Sequence, residues 1–322
     1  MNNNGALVIS LDFELLWGIF DKVKPEEKMR YFKSTRLVIP QILEIFKNYE
    51  ISCTWAVVGM LFNKDWAEWE NNKPKILPDY TDRKLSAYDF GESFRKSDNS
   101  EMMCFAPELI RKIAATPFQE IGTHTYSHYY CLEKGQTLGA FRDDLETSVS
   151  LAKHFNIDLK SLVFPRNQFN EEYLQVCREL GILNVRSNPK NWYWKDTTNN
   201  SLKNKIFRTG DAYIGPKNKA YKHSDLVKDK NELMAQKASR LFRPYSPHRV
   251  LNNLKVIRIK DEMSEAAKNN KIYHLWWHPH NFGNFPEESL SDLIEIMEHF
   301  KFCQKKYDFR SEHMMNVYSS YT

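Results

Sequence analysis

The sequence lacks a paired cysteine motif, a long apolar run and a block of like charge. Its five cysteines are widely scattered without a C-x-x-C pair, which is typical of a reducing compartment and argues against a disulfide framework. No run reaches the roughly 18 apolar residues that a membrane span needs. The 46 basic and 41 acidic residues are interspersed. We therefore expect no transmembrane segment and no nucleic-acid partner.

The first residues, MNNNGALVISLDFELLWG, contain no basic region, no long apolar stretch and no small-residue cleavage site of the kind found in secretion signals. We therefore expect a cytoplasmic protein. A length of 322 residues suits one large α/β domain or two ordinary ones. Because there is no internal repeat, no low-complexity linker and no break in composition, we predict a single domain over residues 1–322.

Short apolar, β-branched runs alternate with longer amphipathic segments along the chain. The predicted strands cover residues 6–14, 51–59, 119–124, 159–166, 182–188 and 271–280. The predicted helices cover residues 34–50, 105–115, 137–155, 171–181 and 286–306. This alternation implies parallel strands with helical crossovers, and hence a barrel or a doubly wound sheet. Two polar, aromatic-rich segments, about 62–104 and 188–250, interrupt it and are predicted to be long rim loops.

Polar residues collect at the predicted carboxyl ends of the strands, where parallel α/β proteins place their functional groups. Asp12 and Glu14 are two residues apart, so both side chains leave the first strand on the same face. Acidic side chains are rarely buried without a partner. We interpret them as two carboxylates that enter a barrel mouth; the alternative is a pair of solvated acids at a strand exit.

The stretch IGTHTYSHYY sets His124 and His128 four residues apart, directly after a predicted strand. On one helical turn, two such imidazoles could bind one divalent ion. An isolated H-x-x-x-H is more often a surface or core feature, but the strand end and the hydroxyls of Thr123, Thr125 and Ser127 favour a metal site. Together with a carboxylate from the first strand they give three protein ligands and an open position, which is the pattern of a catalytic site.

Two later strand ends supply further candidates. Arg166, in VFPRNQFN, has two possible roles. It is a charge at the surface or against a helix, or its guanidinium binds and orients a carboxylate through two hydrogen bonds. The stretch HLWWHPHNFG sets His274, His278 and His280 at alternating positions, and therefore on one face. A lone histidine here is more often structural. In the context of the other motifs, we predict that His278 donates a proton and that His280 contacts the substrate or the rim.

The motifs SLDFE, HTYSH, FPRNQ and LWWHPH, in this order, resemble the polysaccharide deacetylase (NodB-homology) superfamily of carbohydrate esterases over about residues 6–305. The resemblance implies a distorted (β/α)7 barrel in the α/β class. Two departures stand out. Asp12 and Glu14 are spaced, where many members have adjacent aspartates, and the arginine motif lacks its usual R-x-P.

The resemblance further implies a metal-dependent hydrolase that removes N-acetyl groups from an amino sugar or a surface-polysaccharide precursor. The implied residues are the base Asp12, the proton donor His278, the orienting Arg166, the metal ligands Glu14, His124 and His128, and the substrate contacts Trp17, Tyr129, Asn167 and His280. The roles of Asp12 and Glu14 could be exchanged. Zinc is the expected metal, with Co, Ni and Mn as alternatives. The partner is an N-acetylated sugar or glycan precursor.

Two other interpretations remain open. The ending HPHNFG is also similar to that of superfamily members that hydrolyse cyclic amides or ureides. Alternatively, Glu14, where an aspartate is more usual, is compatible with a catalytically degenerate barrel that only binds a glycan.

Overall fold

A computed structural model describes residues 4–168, 170–189, 191–195, 197, 201–214, 219–229 and 232–321. The termini of the predicted domain and parts of the predicted rim segment 188–250 lie outside these residues. The strands are β1 (Ala6–Phe13), β2 (Cys53–Val57), β3 (Gln119–Thr123), β4 (Ser161–Val163), β5 (Asn184–Ser187), β6 (Tyr221–Lys222), β7 (Met234–Lys237), β8 (Arg240–Leu241), β9 (Lys271–Trp277) and β10 (Arg310–Glu312). The helices are α1 (Met29–Asn48), α2 (Trp66–Asn71), α3 (Ala87–Phe94), α4 (Ser100–Cys104), α5 (Pro107–Ala115), α6 (Leu138–His154), α7 (Leu174–Glu179), α8 (Trp192–Lys195), α9 (Leu202–Gly210), α10 (Arg249–Lys268), α11 (Pro286–Tyr307) and α12 (Met314–Tyr321).

The sheet closes on itself through one continuous segment. Strand β9 pairs in parallel with β1, and β1 to β5 follow one another in parallel. Strand β7 then pairs with β5 and β8 pairs with β9, so residues 234–241 join the two edges. Backbone hydrogen bonds from Ala238 to Ser187 and from Ser239 to His274 complete the junction. The barrel wall thus has seven positions, filled by β1 to β5, the β7–β8 segment and β9. This confirms the predicted (β/α)7 barrel.

Alternate residues of the strands have different chemistry on the two sides of the barrel wall. The odd-numbered residues of β1, from Leu7 to Phe13, belong to the main apolar core under the surrounding helices. The even-numbered Ser10 and Asp12 instead meet Arg186 of β5 and His274 of β9 inside the barrel. In the carboxyl-terminal half of β1, the period of two therefore places apolar side chains in the outer layer and polar ones in the interior, whereas Val8 belongs to a separate apolar cluster.

The surrounding helices cover the outer face with apolar stripes. In α1 the buried residues Val38, Ile39, Ile42, Leu43 and Phe46 recur at intervals of three and four, so one face of the helix packs against the barrel. Within the part of the chain that the structure describes, no helix has the length and apolar character needed to cross a lipid bilayer.

The predicted interruptions of the β–α rhythm are not simply loops. Segment 62–104 contains the short helices α2, α3 and α4. Segment 188–250 contains strands β7 and β8, so part of this predicted insertion belongs to the barrel wall. The sequence did not reveal these two strands because β8, with two residues, and β7, with four, are too short for a clear alternation of apolar and polar residues. The boundary of the single domain stays a prediction.

Candidate active site

Strand β1 carries two carboxylates into the closed interior of the barrel. Asp12 lies on the strand and Glu14 directly after it, and both are buried. Gly18 makes room for the second of them, because a Cβ atom at residue 18 would lie 1.7 Å from Oε2 of Glu14. The sequence prediction that both acids leave on one face agrees with this geometry.

Glu14 meets both histidines of the HTYSH motif. Its Oε1 lies 3.0 Å from Nε2 of His124 and 3.2 Å from Nε2 of His128, and all three side chains are buried. The predicted helical turn is wrong, because the segment after β3 is a bent loop in which Thr125 (φ 63°) and His128 (φ 58°) are left-handed. The two rings nevertheless converge, with centroids 5.1 Å apart.

Asp144 of α6 fixes this loop from behind. Its two carboxylate oxygens accept hydrogen bonds from the backbone N–H groups of Tyr126 (2.7 Å) and Ser127 (3.0 Å) and from the Ser127 hydroxyl. Burial raises the pKa of Asp144 to about 7, although these hydrogen bonds act in the opposite direction. Sequence analysis missed this residue because an acid inside an amphipathic helix gives no sign of its partner.

The donor set around Glu14 fits a divalent cation. Nδ1 of His124 donates to the Val163 carbonyl at 2.7 Å, so Nε2 of the neutral ring is an acceptor that faces another acceptor, Oε1 of Glu14. Only a cation or an added proton reconciles these facing lone pairs. Two ligands about 2.0–2.1 Å from a tetrahedral ion lie roughly 3.3 Å apart, close to the separations found here. Glu14, His124 and His128 therefore form a candidate metal site.

Asp12 is held by Arg186, not by Arg166. The two terminal nitrogens of Arg186 each donate to one carboxylate oxygen of Asp12 at 2.7 Å, and the guanidinium lies 4.3 Å from the centroid of the Trp276 ring. Arg186 also donates to Ser10 Oγ, which contacts Nε2 of His274 at 2.8 Å. This bidentate contact inside the barrel is the orienting interaction that we expected from Arg166.

Arg166 points elsewhere because its backbone is left-handed (φ 54°) just after β4. It forms an ion pair with Asp21 and its guanidinium lies 4.1 Å from the centroid of the Tyr130 ring. The predicted contact between Arg166 and Asp12 is therefore wrong. A signal for Arg186 was available: an arginine within the short strand sequence NVRS is costly to bury, and a buried acid on another strand is the partner that it requires.

His278 completes the group at the carboxyl end of β9. Its Nε2 lies 3.7 Å from Oδ2 of Asp12 and 3.6 Å from Oε1 of Glu14, and 26% of its side chain remains exposed. His280 is buried and stacks on His278 with ring centroids 5.0 Å apart. Burial and the charge of His278 lower the pKa of His280 to about 3, so this ring is neutral near pH 7.

Burial and neighbouring charges shift the pKa values of the central carboxylates in opposite directions. Burial alone would raise the pKa of Asp12, but the Arg186 guanidinium, together with His124 and His278 when these rings are protonated, outweighs it and leaves the pKa below its ordinary value. The pKa of Glu14 is well below its ordinary value, because His278, His124 and His128, when protonated on the nitrogen that faces it, stabilise the carboxylate more than burial disfavours it. Burial lowers the pKa of His128 to about 4. At neutral pH the group therefore holds two carboxylates and a neutral His128.

An open cavity of about 420 Å³ gives access to these residues. Asp12, Glu14, His128, His278 and His280 line it together with Asn167, whose side-chain oxygen accepts from Arg186 at 3.1 Å. The lining is thus largely polar and charged, and a hydrophilic ligand suits it.

Two predicted substrate contacts are wrong because their side chains are buried in the core. The indole of Trp17 is fully buried, donates to the Cys104 carbonyl and packs edge-on against Trp66. The ring of Tyr129 is buried against Phe141, and its hydroxyl donates to a backbone carbonyl at 2.8 Å. Their aromatic character and their position beside the motifs did not distinguish core packing from a groove wall.

Comparison with known proteins supports the same family as the motifs. A family model described as polysaccharide deacetylase matches residues 20–185, just over half of the 322 residues. The matched range includes His124 and His128 but neither the β1 acids nor His278. No curated protein sequence matches the chain.

Solved structures share the fold at low sequence identity. A protein assigned to the polysaccharide deacetylases from Mycobacterium smegmatis has a TM-score of 0.61 at 13% identity, covering 99% of this chain and 91% of its own. Another, from Pseudomonas aeruginosa PAO1, has a TM-score of 0.58 at 8% identity, covering 98% and 89%. PuuE allantoinase has a TM-score of 0.58 at 9% identity, covering 98% and 88%. On the family match and this shared fold, the chain belongs to the polysaccharide deacetylase family.

Proposed function

We propose that this protein is a metal-dependent N-deacetylase that removes an acetyl group from an amino sugar or a surface-polysaccharide precursor. Family membership supports a hydrolase that acts on carbohydrate amides. The observation that carries the finer proposal is the arrangement of three groups at one cavity. These are the Glu14–His124–His128 cluster, the carboxylate of Asp12 clamped by Arg186, and the partly exposed His278.

Glu14, His124 and His128 would hold the metal ion. When bound, a zinc-class ion supplies Lewis-acid polarisation of the amide carbonyl and makes a water molecule more acidic. The contact of Nδ1 of His124 with the Val163 carbonyl fixes the tautomer in which Nε2 is free to be a ligand. Two imidazoles and one carboxylate suit Zn, Co, Ni or Mn, and this set alone does not select among them.

Asp12 is the proposed general base, which takes a proton from the attacking water as the water oxygen forms a bond to the amide carbon. Its lowered pKa keeps it ionised at neutral pH, and each oxygen retains a lone pair beyond the one that Arg186 occupies. Arg186 fixes the plane of the carboxylate through two parallel hydrogen bonds, so that the remaining lone pair of Oδ2 is directed consistently. The assignment of Glu14 as ligand and Asp12 as base is supported by their partners: imidazoles for the first and a guanidinium for the second.

His278 is the proposed general acid. An amide nitrogen leaves readily only after it has gained a proton, and a partly exposed imidazole next to both carboxylates is well suited to deliver one. The proton passes to the departing nitrogen as the carbon–nitrogen bond breaks. The products are acetate and a free amino sugar.

Acetate release tests this proposal. Purified protein would be stripped of metal with a chelator, reloaded separately with Zn, Co, Ni or Mn, and assayed with N-acetylglucosamine oligomers. We expect activity to disappear on stripping and to return with at least one metal. A chelated sample, verified as metal-free by elemental analysis, that still releases acetate at the full rate would refute metal dependence.

The same assay distinguishes the remaining candidates. The ending HPHNFG favours a parallel screen of cyclic amides and ureides, since a hydrolase for those substrates would cleave them and leave the N-acetyl sugars intact. A barrel that only binds glycans would turn over neither class. It would still bind a glycan when both His124 and His128 are replaced by Ala.

A further inference from the structure

The cavity that holds the proposed catalytic residues is also lined by basic side chains that the deacetylation mechanism does not use. Lys22, Arg208 and Arg243 line it, and they come from three separate parts of the chain. Lys22 follows β1, Arg208 lies on α9, and Arg243 follows β8. Cations gathered from distant segments into one cavity are costly unless something compensates their mutual repulsion.

Other charges in the same cavity already have partners inside the protein. Asp12 is paired with Arg186, and Arg166 is paired with Asp21. Glu133 accepts a hydrogen bond from the amide of Gln168 at 2.7 Å. Glu14 belongs to the candidate metal site. Lys22 and Arg243 are not among these pairs, and they are the two basic residues that call for an explanation.

Among the residues that the structure describes, Arg243 forms no ion pair, and the carboxylate of Asp211 acts on it only from a longer distance. It donates from Nη2 to the backbone carbonyl of Arg208 at 2.9 Å, while its Nε is buried without a hydrogen-bond partner in the same described set. Burial lowers the pKa of Arg243. A guanidinium that is partly desolvated and not matched by a carboxylate is a binding group for an incoming oxyanion.

Lys22 adds a second such charge at the edge of the cavity. Within the described part of the chain, its ammonium forms no ion pair, and the carboxylates of Asp21 and Glu14 act on it only from a longer distance. Desolvation by its surroundings and the like charge of Arg166 lower the pKa of Lys22, although its side chain still reaches solvent. An ammonium provides a point charge and a guanidinium a planar fork, and both are used to bind phosphate.

We propose that the substrate of this site carries a phosphate group that Lys22 and Arg243 bind while its N-acetyl group lies at the Asp12–His278 end. This inference rests on the proposed deacetylase function and narrows its substrate to a phosphorylated N-acetylated amino sugar. Phosphate fits better than a single carboxylate because more than one cation lines the cavity and a phosphate ester carries nearly two negative charges near pH 7. A cavity of about 420 Å³ has room for one sugar phosphate.

Binding and turnover together test the proposal, with N-acetylglucosamine 1-phosphate, N-acetylglucosamine and glucuronic acid as probes. Calorimetry would use chelated, metal-free protein, so that phosphate cannot bind to the metal instead. We expect the sugar phosphate to bind at least about tenfold more tightly than the neutral sugar. Lys22→Gln and Arg243→Gln should each weaken its binding about tenfold, whereas Arg142→Gln, which removes a surface arginine paired with Glu179, should not.

Turnover by the metal-loaded protein then separates the two proposals. A sugar phosphate that binds through Lys22 and Arg243 but never releases acetate would refute the deacetylase function and leave the phosphate site standing. Equal binding of neutral and phosphorylated sugars, or tighter binding of the uronic acid, would refute the phosphate site, whether or not acetate is released. Because Lys22 is exposed, its variant tests the site even if Arg243→Gln does not fold.

Discussion

The two ends of the barrel each contain a cluster of glutamate and histidine, buried at the carboxyl end and partly buried at the amino end, and the clusters differ in their balance of donors and acceptors. At the amino end of the strands, Glu120 accepts hydrogen bonds from Thr54 (2.6 Å), from Ser161 and from the backbone N–H of Met315 (3.2 Å), and His313 lies 3.3 Å away. At the carboxyl end, Glu14 faces ring nitrogens of which at least one, Nε2 of His124, is itself an acceptor.

This difference separates a structural cluster from a site. The Glu120 carboxylate accepts hydrogen bonds from two hydroxyls and one backbone N–H, so the protein satisfies it without a ligand. The Glu14 cluster has too many acceptors for its donors and opens to a cavity through a partly exposed His278. Composition alone does not reveal the distinction, because both clusters combine glutamate with histidine.

The largest expected effect is on catalysis at the carboxyl end. Replacing Asp12 by Asn removes the proposed base while keeping its size, and kcat/KM for acetate release should fall by about 10³-fold. The matched control is Asp21→Asn, which removes the partner of Arg166 at the same cavity and should cost far less. Comparable losses in the two variants would show that Asp12 has no special role.

Metal binding should distinguish the two ends directly. At a metal concentration about 100 times the Kd, a bound ion should stabilise the stripped protein by about 2.7 kcal/mol, seen as a higher Tm. His128→Ala should abolish this shift, because it removes a ligand. His313→Ala removes the histidine beside Glu120 and should retain it. If the His128 variant kept the full metal-induced rise in Tm, the metal would bind at another site.

The reassignment of the orienting arginine is also testable. Arg186→Lys cannot reproduce two parallel hydrogen bonds to Asp12, so we expect kcat to fall about 10–100-fold. The acid limb of the kcat/KM profile should move to higher pH, because Arg186 holds the pKa of Asp12 below its ordinary value. Arg166→Lys serves as the control. If that variant moved the acid limb instead, the original assignment from the sequence would be restored.

The sequence predicted the fold better than it predicted the contacts. Strand β1, predicted over 6–14, covers Ala6–Phe13, because a run of apolar residues that ends in acids is unambiguous. The two-residue spacing also correctly placed Asp12 and Glu14 on the same face of β1. Arg186 was missed and Arg166 was misplaced, since which arginine reaches Asp12 depends on the curvature of the barrel and on one left-handed residue. Neither is readable from local pattern.

The histidine loop shows the same limit. The four-residue spacing suggested a helical turn, whereas backbone hydrogen bonds from Gly59 to Thr125 and from Met60 to Tyr126, with Asp144 behind them, hold a bent loop. The imidazoles converge in either conformation. The ligand prediction was therefore reasonable although its structural basis was wrong, because tertiary contacts and not helical periodicity position the rings.

The smallest expected effect is on stability at the amino end, where Glu120→Gln exchanges a charged acceptor for an amide that cannot accept at both positions. The free energy of unfolding at pH 7 should fall by about 1–3 kcal/mol, measured by urea denaturation, with kcat nearly unchanged.

Burial alone would raise the pKa of Glu120, but His313, Ser161 and Thr54 outweigh it and lower the pKa. A depressed pKa contributes stability above the unfolded value of about 4.3 and loses it as the pH falls further. The gap between wild type and variant should therefore narrow below about pH 4, while the exposed Glu298→Gln serves as a control with little effect at either pH. A gap that stayed constant down to pH 3 would mean that the charge of Glu120 contributes nothing, and the contrast between a satisfied cluster and a ligand-binding one would then need a different physical basis.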